Sequence, residues 1–143
     1  AGGFYGWPYA YNGPHEEPRH KNVAPDKVRN SRYPDVLLGA HVAVLDILFY
    51  TGKQFPKKYQ NGLFLAFHGS WNRSKRTGYS VTYIPFEDGR PVSGPQDFLK
   101  GWMLGEDQRE VWGRPVGLLQ MPDGSLLVSD DGGRKLWRIS YTG

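Results

Sequence analysis

From Pro115 to Tyr141 the chain reads PVGLLQMPDGSLLVSDDGGRKLWRISY, three short apolar runs broken by Asp-Gly and by Asp-Asp-Gly-Gly. Apolar runs of roughly five residues are strand-length rather than helix-length, and Asp-Gly steps supply the left-handed backbone of a tight reversal. The stretch therefore predicts an antiparallel meander. The same grammar recurs upstream, where HVAVLDILFYTG, LFLAFHG and GYSVTYIPF are bounded by Thr-Gly, Asn-Gly and loop residues. Strands are expected near residues 43–50, 63–67, 79–85, 116–120, 125–129 and 135–140. No helix longer than about three turns is expected outside residues 14–35.

Composition agrees with this grammar. The 143 residues include 19 Gly and 11 Pro, and 15% are aromatic, a balance that punctuates the chain often and favours pleated surfaces. Residues 1–35 contain EEPRHKNVAPDKVRNSRYPD, which has no hydrophobic period and reads as a long loop region; the strands lie in 36–143. Short meanders spaced by long polar loops are the layout of β-propeller blades, although a β-sandwich shows strands of the same length.

Several function classes fall away. The chain has no cysteine, which removes disulfide frameworks, CxxC redox centres, thiolate zinc sites and covalently attached c-type haem. No run of about 18 apolar residues marks a membrane span, and AGGFYGWPYAYNG has neither a basic nor an apolar signal region and no initiating Met. Either a signal has been removed or the chain begins inside a longer protein. A net charge of +4 and a pI near 9.3 can steer anionic ligands, but interspersed acidic residues argue against a nucleic-acid face. His15 and His20 lie near Glu16 and Glu17 in a loop, where spacing fixes no zinc geometry. Asp130 and Asp131 lack the ligand spacing of a calcium loop and read as a plain turn. No metal ligands are assigned in this chain.

The succession GFYGWPYAY, GAHVAVLDILFYTGKQFPKKYQNGLFLAFHGSWNRS, GYSVTYIPFEDGRP and GRPVGLLQMPDGSLLVSDDGGRKLWRISY resembles the C-terminal portion of the glucose/sorbosone dehydrogenases, in particular the L-sorbosone dehydrogenase branch. The resemblance implies an all-β fold, about the last two to three blades of a six-bladed β-propeller. It also implies a periplasmic or secreted quinoprotein sugar dehydrogenase, with pyrroloquinoline quinone (PQQ) as cofactor. Its calcium ligands and its catalytic histidine base precede the YGWP motif in that family and are expected outside this chain, so no catalytic residue is assigned here. The partners implied are the sugar substrate and the remaining propeller blades, with no nucleic acid and no transmembrane segment.

The same resemblance directs attention to strand ends. In the family, the strand end at FHGSWNR carries a cation toward the quinone carboxylates; here His68, Asn72 or Arg73 stands in for the usual lysine. Arg73 is preferred, because a guanidinium grips a carboxylate through two parallel hydrogen bonds and stays charged. Trp71 is expected either to stack on a flat ligand or to pack against the next blade, and Lys75 and Arg76 are expected to be exposed turn residues. Arg114, in WGRPVG, matches a cofactor-binding arginine of the family. A lone arginine enters a packed interior only when paired, and an anionic cofactor would supply the pairing. Where some relatives carry a second arginine, this chain has Trp112, assigned with His41 to the sugar-facing mouth. The competing reading is a non-catalytic β-propeller binding module, since a scaffold does not fix a function.

Overall fold

The structure, a computed structural model, describes residues 2–143, which fall into two compact units divided between Leu37 and Leu38. In the first, β1 (Ala10–Tyr11) and β2 (His15–Glu16) form a small antiparallel hairpin. Its reversal passes through Asn12 and Gly13, both left-handed, with φ of 49° and 96°, conformations that Asn and Gly adopt at low cost. The Glu17 carboxylate caps a 3-10 turn at Pro18–His20 by accepting from the Arg19 amide and, at 2.6 Å, from Arg19 Nε. A short helix, α1 (Pro25–Arg29), begins on a proline whose missing N–H costs nothing at a first turn.

The second unit carries the sheets. β3 (Val44–Phe49), β4 (Leu63–Phe67) and β5 (Ser80–Ile84) run antiparallel in chain order. A side hairpin, β6 (Phe86–Glu87) and β7 (Arg90–Pro91), turns at Asp88-Gly89, and β8 (Gln96–Leu99) then pairs with β5 to complete a four-stranded sheet. β9 (Pro115–Gln120), β10 (Leu126–Asp130) and β11 (Lys135–Ile139) form the expected meander, with Val128 opposite Leu118 and Trp137. The six expected strands are present, and β8 was not foreseen. All the sheets are antiparallel, and α1 is too short to cross a membrane.

The two larger sheets share one core. Phe64, Val81 and Tyr83 from the first meet Leu118, Leu126 and Val128 from the second, with Tyr50 and Phe55 between them. Polar bonds cross the same boundary. The Tyr50 hydroxyl donates to Gly124 O at 2.6 Å, and the Leu118 amide donates to Asp46 Oδ2 at 2.7 Å. Gln120 Oε1 accepts from the amides of Thr51 and Gly52. The Tyr50 hydroxyl and the Leu118 amide are thereby satisfied where water no longer reaches freely, and together these bonds fix the second sheet against the first. On the opposite face of β3, Leu45, Ile47 and Phe49 alternate outward and are exposed. β11 pairs on one side only and exposes Leu136.

Candidate functional site

The loop after β4 is held by its own polar groups. The Gly69 amide donates to Val42 O, and Ser70 exchanges bonds with Thr77 through both its amide and its hydroxyl. Arg76 donates from Nη1 to the carbonyls of Ser70, at 3.1 Å, and Trp71, at 2.8 Å. It is half-buried, so the expectation of a free turn residue is corrected for Arg76: the charged group staples the loop base. Lys75 is exposed. Trp71 is 77% exposed and packs against no other ring among the described residues. Arg73, also exposed, donates from Nη1 to Ala40 O at 3.2 Å. This contact joins the loop to the segment before β3, where His41 is exposed with a left-handed φ of 65°.

Arg114 enters the same corner from the start of β9. Its Nε donates to His68 O at 3.2 Å, one terminal nitrogen donates to Gly69 O at 2.9 Å, and its guanidinium lies over the Tyr79 ring, 5.5 Å from the centroid. The remainder of its N–H fork, including all of Nη1, has no partner among the described residues. The side chain is thus rigid, charged and only partly committed.

Asp130 explains why the backbone at Arg114 is so well placed. The residue is 3% exposed. Oδ1 accepts from the amides of Arg114 and Gly133, each at 2.7 Å, and Oδ2 from the indoles of Trp102, at 3.1 Å, and Trp137, at 3.0 Å. Burial pushes its pKa up, but the four N–H groups outweigh that and hold it below the ordinary carboxylate value. The close approach requires Gly113 and Gly133, since a Cβ on either would run into this carboxylate.

The next residue turns the other way. Asp131 is exposed, and its two oxygens lie 3.0 and 3.1 Å from His68 Nε2. The acidic turn expected at 130–131 is present at residues 131–134, and both aspartates are engaged: one braces the backbone of Arg114 and the other meets His68. A sequence reader sees only Asp-Asp-Gly-Gly, a turn signal, because apart from Gly133 the partners lie just after β4, on β11 and in the segments at Trp102 and Arg114.

The structure brings His68 and Arg114 together and puts Arg73 on the adjoining segment. It does not gather the two residues assigned to the sugar. Trp112 is 65% exposed and lines a cleft of about 220 Å³ with Lys100, Trp102, Lys135 and Trp137, a group that does not include His41. Among the described residues no set of three His, Asp or Glu side chains is grouped to hold a metal.

Antiparallel sheets with a braced arginine and an aspartate-paired histidine where two of them meet define a β protein that presents cations from its strand ends. The chain belongs to the TrAA12-like family, whose model matches residues 16–142. It is 39% identical over 140 residues to an uncharacterized protein of Borreliella burgdorferi, covering 96% of this chain and 36% of that one. It is 32% identical over 118 residues to the pyrroloquinoline quinone-dependent pyranose dehydrogenase of Coprinopsis cinerea, covering 71% of this chain and 15% of that one. Among solved structures, the holo PQQ domain of the Coprinopsis pyranose dehydrogenase superposes with a TM-score of 0.74 at 27% identity, over 97% of this chain and 40% of that one. A Trichoderma reesei carbohydrate-active enzyme of family AA12 superposes with a TM-score of 0.74 at 25% identity, over 99% and 40%. The chain thus spans about a third or less of the length of these curated relatives.

Proposed function

We propose that this chain is the cofactor-holding segment of a quinoprotein sugar dehydrogenase, contributing about two to three blades of a six-bladed propeller. The observation that carries the reading is Arg114: a guanidinium fixed by two carbonyls and an aromatic ring, with N–H groups still unpartnered, beside His68. Such a donor set fits a planar multicarboxylate, because fixed cations offset the hydration that an anion loses on binding. Arg114 and His68 would hold PQQ, with Arg73 and Trp71 closing over it from the loop after β4; His41 and Trp112 would face the sugar. Bound there, the quinone would accept the two electrons removed from an aldose or sorbosone-like sugar, while the protein supplies orientation and charge.

The narrower likeness to the glucose/sorbosone dehydrogenases rests on the motifs around Trp7, His68 and Arg114, and the quinone reading draws further support from the Coprinopsis relative. The histidine base and the calcium ligands would lie in the rest of the parent protein, and the location would be periplasmic or secreted. The exposed row on β3 and the open edge of β11 support further blades as partners, since uncovered apolar faces and free strand edges favour association. The test is reconstitution of the full-length parent with PQQ and calcium, followed by dye reduction across a panel of sugars. Sugar-dependent reduction is expected; its absence in a parent that binds both additives would overturn the dehydrogenase reading.

A further inference from the structure

His68 is held at its backbone and at its ring by different elements. Its amide donates to Ala43 O at 2.9 Å, and its carbonyl accepts from Arg114 Nε at 3.2 Å. Its side chain is only 17% exposed, and the one side chain bonded to its ring among the described residues is Asp131, at Nε2. A carboxylate accepts and does not donate, so the contact requires the hydrogen on Nε2. Both ring hydrogen bonds given by the described residues are at Nε2, which leaves Nδ1 without a partner among them. Asp131 is consecutive with Asp130, whose four bonds leave it no freedom to move; the root of the Asp131 side chain is therefore as fixed as the strand end.

We propose that Asp131 is a positioning residue for His68: it holds the imidazole with its hydrogen on Nε2 and leaves Nδ1 as the ring nitrogen offered to a ligand bound beside Arg114. The ligand half of the proposal rests on the quinone-site reading; the positioning half does not. Arg134 and Lys135 follow Asp131 and line the same surface cleft.

The experiment uses the full-length parent with 15N-labelled histidine, the His68 ring signals being assigned by their loss in His68→Gln. Long-range 1H–15N spectra should show hydrogen on Nε2 in the wild type. In Asp131→Ala that Nε2 hydrogen should lose its hydrogen-bonded shift and exchange faster with water, whereas Asp131→Asn, which retains an acceptor oxygen, should keep both features. Hydrogen on Nδ1 in the wild type, or a ring signature unchanged in Asp131→Ala, overturns the positioning role. Titration with free PQQ reads the second half: Asp131→Ala should bind roughly three- to tenfold more weakly, the scale of one hydrogen bond. Equal affinity overturns the link to the ligand. A wild type that keeps the Asp131-dependent signature yet fails to bind PQQ overturns the quinone reading and upholds the positioning.

Discussion

Asp130 is the residue on which the corner depends. Replacing it by Asn keeps the shape but turns an N–H₂ group toward two of the four donors now satisfied, leaving them buried without acceptors. Asp130→Asn should lower stability by about 2 to 5 kcal/mol, measured by urea denaturation, and Gly113→Ala, which drives a Cβ into the same carboxylate, by about 1 to 3 kcal/mol. The pH dependence follows from the depressed carboxylates. Asp130 lies below the ordinary value, and Asp123 is drawn down to about 2 by the hydroxyl and amide of Ser125 and then by Arg138. A carboxylate whose folded pKa is lowered stabilises the fold above its unfolded pKa, about 3.9, and that stability is lost as pH falls through the folded value. The urea midpoint should therefore fall steeply between about pH 4 and pH 2, and Asp130→Asn should flatten that fall.

At the scale of elements, the strands that were legible in the sequence are those with β-branched or aromatic runs closed by Gly turns, such as VLDILF, SVTYI and LLVSD. Their boundaries shift by a residue: the runs at Val44–Phe49 and Ser80–Ile84 stop pairing one residue short of the expected span at each end, and that at Leu126–Asp130 moves one residue along the chain. β8 was not legible: Gln96, Asp97, Phe98 and Leu99 show two polar residues and then two apolar ones, with no alternation, and the strand exists because β5 offers it a free edge. His68 and Arg114 lie next to strand ends, as the sequence suggests, but their partners were not legible, since backbone carbonyls and an aspartate 63 residues away carry no local signal. The same reason hid the stapling role of Arg76. Sheet-to-sheet attachment should show in Tyr50→Phe, which removes a buried hydroxyl from the Gly124 carbonyl. A loss of about 1 to 2 kcal/mol is expected by urea denaturation, with the four-stranded sheet retained by circular dichroism.

For the whole molecule, Arg114 joins architecture to the proposed function. From the residue just before β9 it binds the carbonyls of the two residues that follow β4 in the other sheet, so its removal should loosen the corner as well as any ligand held there. Arg114→Ala is therefore expected to cost stability, and Arg114→Lys to restore charge without the two-carbonyl fork. The most direct test of the central claim is an equilibrium titration of the metal-loaded, cofactor-free full-length parent with PQQ, run at a temperature where wild type and variant are both folded by circular dichroism. Saturable binding by the wild type is predicted, with Arg114→Ala weaker by about 1.5 to 3 kcal/mol, roughly 10- to 150-fold, and Arg114→Lys between the two. Equal affinity for wild type and a folded Arg114→Ala would contradict the assignment of this corner as the cofactor site.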